Sequence, residues 1–199
     1  MYDPLHHKSP GQGEPYPSSY WADISGESPT DDGEITGEHQ VDVAIIGAGY
    51  TGLSCALHLA KEHGINATVL EANQTAWGCS GRNAGFILKS SGRKSFAQMA
   101  SQWGEEVMRG IYDEMAEGVN TINGLIEQGI DCQMQSPGYL KVAHKPSKFK
   151  ELIGIAEIQQ QKFGYQVEVL SQAEVRVQYM DDQNAYGAIR YQDGFGLNP

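Results

Sequence analysis

The sequence predicts an α/β fold that opens on one β-α-β unit and continues into an α+β segment. Three observations predict it. The run Val41-Asp-Val-Ala-Ile-Ile46 is short and β-branched and ends in glycine. A helical stretch with small residues four apart, Gly52, Ala56 and Ala60, follows it. A second apolar run, Ala67-Thr-Val-Leu-Glu71, comes directly after Gly64, a natural helix C-cap.

Each element has a local reason. Residues 41–46 have the composition of a buried parallel strand. A helix is expected from about Tyr50 to His63, its small-residue face suited to close approach to a sheet. The crossover to the second strand should be right-handed. Residues 72–98 are rich in Gly, Ser, Asn and Arg and read as a long loop, and a loop of that length inside a domain is usually functional.

Beyond the loop, Met108, Ile111, Met115, Val119, Ile122 and Ile126 form the apolar stripe of a helix over about 105–128. Strand-like residues occupy about 132–143, broken by Pro137-Gly138. A helix over 147–163 and a strand over 166–170 follow. Ser171-Gln-Ala-Glu174 has the form of a capping box opening a short helix. Residues 186–196 are strand-like, and Asn198-Pro199 would suit the start of another helix.

Residues 1–40 differ from the rest. They hold five of the eight prolines, and eight acidic residues against Lys8 alone. Too little apolar surface is present there to offset ordering entropy. An acidic, largely disordered leader is expected, with Tyr16, Tyr20 and Trp21 able to pin part of it to a folded body. Boundaries are expected at 40/41 and at 130/131, giving a leader, the N-terminal part of a cofactor domain, and the start of a substrate domain.

Charge and composition exclude several functions. The net charge is -11, with -7 in residues 1–40 and -4 in the remainder. Such a surface repels phosphate backbones, so nucleic acid is not expected as a partner. No apolar run reaches the ~18 residues of a transmembrane helix. The N-terminus lacks a basic region followed by an apolar run, so no secretory signal is visible and a cytoplasmic location is expected. Cys55, Cys79 and Cys132 have no metal-ligand spacing and read as reduced thiols, with Cys55 a small core residue of the first helix. No metal is expected.

The chemistry-bearing motif is Gly47-Ala48-Gly49-Tyr50-Thr51-Gly52. It follows a predicted strand and opens a predicted helix, the context of a Rossmann-like dinucleotide-binding unit. Gly47 permits the tight turn, Gly49 lets backbone approach a pyrophosphate, and Gly52 lets helix and strand pack closely. The helix N-terminus offers unpaired N–H groups to phosphate, and Thr51 adds a hydroxyl. Glu71, 19 residues after Gly52, is placed to accept from both ribose hydroxyls of an adenosine. Its charge would repel a 2′-phosphate, which argues against NADP.

From Val41 to Phe86 the sequence resembles the FAD-dependent oxidoreductases of the D-amino-acid oxidase (DAO) family. The residues that carry the resemblance are 42–54, then Val69-Leu-Glu-Ala72, then Trp77-Gly-Cys-Ser-Gly-Arg-Asn-Ala-Gly-Phe86. The last looks most like the branch that includes gamma-glutamylputrescine oxidase; Ser136-Pro-Gly-Tyr-Leu140 adds a less specific match. The resemblance implies an incomplete FAD/NAD(P)-binding domain and the start of an α+β substrate domain, together the first half of a family member. FAD is the implied cofactor. Ala72, Ser80, Gly81, Arg82, Asn83, Ala84 and Gly85 would join the turn and Glu71 around it. Gly81 and Gly85 would allow close backbone approach, while Ser80 and Asn83 would hydrogen-bond. Arg82 would either neutralise the pyrophosphate, stay near the ring, or pair with a surface acid. Cys79 reads as a tolerated small side chain.

The resemblance further implies oxidation of an amine or amino acid at its C–N bond, with a small-molecule amine as substrate. No catalytic residue is assigned. His58 and His63 read as solvent-facing or capping, and His144 as a strand-edge or loop residue. The isolated chain is expected to bind FAD poorly and not to turn over. An NAD-binding dehydrogenase fragment and an inactive remnant stay open as alternatives.

Overall fold

A computed structural model describes His6, residues 11–90 and residues 92–199. The chain resolves into two compact units, residues 1–84 with 198–199, and residues 85–197.

The first unit contains α1 (Tyr20–Ile24), β1 (Ala44–Ile46), α2 (Tyr50–His63) and β2 (Thr68–Leu70). β1 and β2 pair in parallel, Ala44 opposite Thr68 and Ile46 opposite Leu70. The helix connecting them ends where the sequence predicts, with Gly64 in the left-handed conformation at φ 66° and its N–H on the Ala60 and Leu59 carbonyls.

Two expectations for this unit fail for one reason. β1 is shorter than residues 41–46, and it is not buried: Ile46 is 90% exposed. Cys55, expected in the core, is exposed on α2. Among the described residues β1 pairs only with β2. The pair is too small to enclose either an apolar strand or the far side of the helix.

Most of residues 1–10 lie outside the described residues. Residues 11–25, however, are held by hydrogen bonds to the 73–83 loop, as Tyr16 and Trp21 suggested they could be. Residues 26–40 are exposed and carry no helix or strand.

The second unit contains β3 (Phe86–Ile87), α3 (Phe96–Trp103), α4 (Glu105–Glu127), β4 (Tyr139–Val142), α5 (Pro146–Phe163), β5 (Glu168–Ser171), α6 (Gln172–Gln178), β6 (Gly187–Tyr191) and β7 (Phe195–Gly196). β6 lies between β4 and β5 and is antiparallel to both. Strand alternation sends its neighbouring side chains to opposite faces. Ile189 and Tyr191 pack with Leu152 and Ala156 of α5. Ala188 packs with Leu170, and with Val175 of α6. Burying both faces makes β6 the centre of the unit, and each large apolar side chain so buried contributes about 1.5–3 kcal/mol.

The expected boundary at 130/131 does not separate the compact units; the division falls at 84/85. α4 is the reason. Its Met108 and Tyr112 share a core with Phe96 and Met99 of α3, and Phe163 and Tyr165 pack against that core. Tyr112 and Phe163 stack with ring centroids 3.9 Å apart. The helix therefore belongs with the elements that follow it.

Local signals explain the remaining differences. α3 lies partly in the stretch read as loop, and its capping box, Ser95 with Gln98, was the available cue. The capping box at Ser171 and Glu174 forms as predicted. The strand expected over 132–143 is reduced to Tyr139–Val142 because Pro137 has no N–H to donate. Gln135 and Gly138 still donate to the Gly196 and Gly194 carbonyls, at 2.8 and 2.7 Å.

Asp193 ties two connecting segments of this unit together. Lys89 Nζ donates to it at 2.7 Å, and the Tyr165 hydroxyl donates to its other oxygen. Partial burial raises the Asp193 carboxyl, but these hydrogen bonds and the Lys89 charge outweigh it and hold the group below its ordinary value. A depressed native pKa stabilises the fold above the unfolded value, and that contribution is lost as pH falls through the native value. Asp193→Asn is therefore expected to flatten the acid side of the stability curve below about pH 4. The contribution is modest, since the carboxylate side chain is 42% exposed. Urea unfolding at several pH values measures it, and an unchanged acid limb would rule it out.

Candidate functional site

The site begins where β1 hands over to α2. Gly47 sits at φ 99°, a conformation that side chains with a Cβ rarely adopt. Its N–H donates to the Leu70 carbonyl at 2.7 Å, tying the turn to the end of β2. A Cβ on Gly52 would stand 2.0 Å from the Gly47 carbonyl oxygen and 3.2 Å from Ile45 Cγ2. Helix and strand can meet at this distance only with glycine there. A Cβ on Gly49 would stand 2.8 Å from Ser80 Oγ.

Glu71 reaches back over the turn. Its Oε2 accepts from the Ala48 N–H at 2.8 Å and its Oε1 from the Asn73 N–H at 3.1 Å. The side chain is exposed, so the carboxylate keeps acceptor capacity toward solvent. Ser80 completes the rim: its Oγ accepts from the Tyr50 N–H at 2.9 Å. The N–H groups of Gly49, Thr51 and Gly52 have no acceptor among the described residues. They form the open, positive end of α2.

The loop after β2 is built on itself. Ala76 N–H donates to the Ala48 carbonyl at 2.9 Å, and Gly81 N–H to the Ala76 carbonyl at 3.0 Å. Asn83 Nδ2 donates to the Ser80 carbonyl at 2.9 Å. Arg82 is held within the loop by Trp77. Its guanidinium lies 3.8 Å over the Trp77 ring, and its Nε donates to the Trp77 carbonyl. Cation–π stacking and a local carbonyl satisfy this charge without an acid. Cys79 is exposed in the short 3₁₀ turn Cys79–Gly81. Ala72 and Ala84 are exposed.

The first unit thus brings together Gly47–Gly52, Glu71 and Ser80, with Gly81, Arg82 and Asn83 in the same loop. Gly85 belongs to the second unit, buried at φ 68° with its carbonyl accepting from Leu197 N–H at 2.8 Å. His58 Nδ1 lies 2.8 Å from Glu62 Oε1 on the exposed side of α2, and that hydrogen bond lowers the Glu62 carboxyl. His63 is exposed in the last helical turn, and His144 is exposed after β4. Among the described residues no cluster of His, Cys, Asp or Glu is arranged to hold a metal.

Sequence reasoning missed Asn73 and the backbone of the leader. Asn73 Nδ2 donates to the Glu14 carbonyl at 2.7 Å and to the Gly11 carbonyl. Trp77 Nε1 donates to the Pro15 carbonyl at 3.1 Å, and Trp21 Nε1 to the Asn83 carbonyl at 3.1 Å. Leader carbonyls accept from Asn73 and Trp77, and no side-chain pattern announces them.

An adenosine diphosphate group fits what is present. Open N–H groups, glycines where a Cβ would collide, and a carboxylate at the end of β2 form the donor and acceptor set that a pyrophosphate and a ribose require.

Comparison with known proteins agrees. The family model described as "FAD dependent oxidoreductase" (DAO) matches residues 42–199. The chain is 34% identical over 159 residues to gamma-glutamylputrescine oxidoreductase of Escherichia coli K12, covering 79% of this chain and 36% of that protein. It is 32% identical over 133 residues to the probable oxidoreductase OrdL of Rhizobium meliloti, covering 66% of this chain and 30% of that protein. The chain therefore spans about a third of the length of the curated relatives it matches. Among solved structures, glycine oxidase from Geobacillus kaustophilus shares the fold at a TM-score of 0.57 and 21% identity, over 81% of this chain and 41% of that one. The chain belongs to the DAO family of FAD-dependent oxidoreductases, flavoproteins whose members oxidise amines and amino acids.

Proposed function

We propose that this chain supplies the adenosine-diphosphate site of an FAD-dependent enzyme that oxidises a C–N bond in an amine or amino acid, with a substrate like gamma-glutamylputrescine. The carrying observation is the pair of contacts that frame the turn, Glu71 on Ala48 N–H at 2.8 Å and Ser80 on Tyr50 N–H at 2.9 Å. Glu71 would grip the ribose hydroxyls. Gly49, Thr51 and Gly52 would donate to the pyrophosphate, aided by the α2 dipole. Ser80, already accepting from Tyr50, keeps its own O–H to donate. Gly81 and Asn83 would line the path of the flavin, with Ala72 and Ala84 beside it. Arg82, stacked on Trp77, would brace the loop. The chemistry supplied by bound FAD is acceptance of a hydride from the carbon beside the amine nitrogen.

The substrate class rests on the gamma-glutamylputrescine oxidoreductase relative. A role in polyamine catabolism in the cytoplasm is the corresponding reading. No helix among the described residues is long and apolar enough to cross a membrane. The Ser80–Gly85 loop, standing where a second helix would follow in an NAD-binding domain, favours a flavin over NAD.

Amide resonances of the 199-residue chain test the site. FAD is expected to shift Gly49, Thr51 and Gly52, and FMN, which lacks the adenosine, is not. Binding is expected to be weak. Equal response to FAD and FMN, or shifts confined to other residues, would refute the site. For the substrate, residues 42–199 can replace the matching segment of the Escherichia coli relative. The chimera should purify yellow and bleach anaerobically with gamma-glutamylputrescine. A yellow chimera that does not bleach would refute the substrate alone.

A further inference from the structure

Residues 11–25 and the 73–83 loop interlock by shape. Gly11 is buried, and a Cβ there would stand 3.0 Å from Trp77 Cζ3. Gly81 is buried too, and a Cβ there would overlap the Tyr16 hydroxyl. Each segment thus keeps a glycine where an aromatic side chain of the other packs. Hydrogen bonds join the two along their length. Close to Glu71, Asn73 Nδ2 donates to the Glu14 carbonyl at 2.7 Å and Trp77 Nε1 to the Pro15 carbonyl at 3.1 Å. Farther along the loop, the Tyr16 hydroxyl donates to the Ala76 carbonyl at 3.3 Å and Trp21 Nε1 to the Asn83 carbonyl at 3.1 Å.

The loop held in this way carries groups that frame the glycine-rich turn. Asn73 N–H donates to Glu71 Oε1 at 3.1 Å, and Ser80 Oγ accepts from Tyr50 N–H at 2.9 Å. Ala76 stands at φ 60°, a left-handed conformation that a residue with a Cβ keeps only where its surroundings over-determine it. Its N–H donates to the Ala48 carbonyl at 2.9 Å, and its carbonyl accepts from Gly81 N–H at 3.0 Å. The Tyr16 hydroxyl adds a further hydrogen bond to that same carbonyl. Apart from the 3₁₀ turn Cys79–Gly81, the loop has no regular structure of its own to fix this path.

We propose that residues 11–25 form a strap, with Tyr16 and Trp21 as positioning residues, that holds the 73–83 loop in its cofactor-binding shape. The proposal rests on the adenosine-diphosphate site proposed above and deepens it. The strap grips the loop and acts on the cofactor through it. A loop ordered before binding costs less to order at binding, so the strap raises FAD affinity. Strap docking and FAD binding are then linked, and each strengthens the other by the same factor. α1 reports the docked state. Its five residues are too few for a stable helix in water. Its Asp23 amide, donating to the Ser19 carbonyl, and the Ser25 amide, donating to the Trp21 carbonyl, are therefore protected only while the strap is docked.

Titration of the 199-residue chain with FAD, read from the Gly49 and Thr51 amides, tests it. The double variant Y16A/W21A alters only the strap. It is expected to weaken FAD about tenfold, within the usual range of coupling between sites. Y16F/W21F keeps both ring bodies and loses two donors, so it should recover part of that affinity. The Gly47 amide, donating to Leu70, should exchange as before in both variants, which separates lost positioning from a lost fold. In the unaltered chain, saturation with FAD is expected to slow exchange at Asp23 and Ser25 about tenfold. Equal FAD affinity in the unaltered chain and Y16A/W21A overturns the proposal. So does exchange at Asp23 and Ser25 that FAD leaves unchanged, a result that depends on no variant folding. If FAD shifts none of Gly49, Thr51 and Gly52 in the unaltered chain, the cofactor site itself fails, and the strap with it.

Discussion

Replacing Gly52 with alanine is expected to open the β1–α2 turn and abolish the FAD response. The added Cβ would lie 2.0 Å from a backbone oxygen, that of Gly47, so no side-chain rotation can relieve it. The helix must move off the strand. Overpacking in a well-packed site costs about 1–3 kcal/mol, and a fixed backbone neighbour puts this case at the upper end. Hydrogen exchange reads the change directly. The Gly47 amide, donating to Leu70 at 2.7 Å, should lose protection, while Ile189 of the second unit should keep it. Unchanged exchange at Gly47 with a normal FAD response would show that the close approach is not required.

Glu71→Ala is expected to weaken FAD about ten- to hundredfold and to lower the unfolding free energy by about 1.5 kcal/mol. The substitution removes the acceptor for Ala48 and Asn73 N–H groups, and with it the proposed grip on the ribose. Hydrogen bonds to a charged group contribute about 1.5–3 kcal/mol; Glu71 is exposed, so the lower part of that range applies to the turn itself. Glu71→Gln keeps one acceptor oxygen and should fall between. Titrations of the three proteins with FAD, read from the Gly49 and Thr51 amides, give the order. Equal affinity in all three would remove Glu71 from the site and leave it a turn-stabilising residue.

Both predictions concern residues that could be named from the chain alone, because their requirements are local. A turn that passes phosphate at close range needs glycine at fixed spacings, and an acid at the end of the next strand needs only the strand's length to be placed. The same holds for Gly64, which ends α2, and for the Ser171–Glu174 capping box, whose two reciprocal bonds span three residues. Arg82 was not legible in this way. Its position over Trp77 depends on a loop path that composition does not encode.

Sequence alone determined the β-α-β order, the glycine turn, the acid that overlooks it and the family. Each follows from residues within a few positions of one another or from a periodicity along one element. Tertiary structure decided the rest. It left Ile46 exposed, placed α4 with the residues after it, tied leader carbonyls to Asn73 and Trp77, and tied the Trp21 indole to the Asn83 carbonyl. It also buried Gln159, whose amide oxygen has no partner among the described residues. These outcomes depend on which surfaces meet across distant segments, and burial is a property of the assembled neighbours rather than of the residue that is buried.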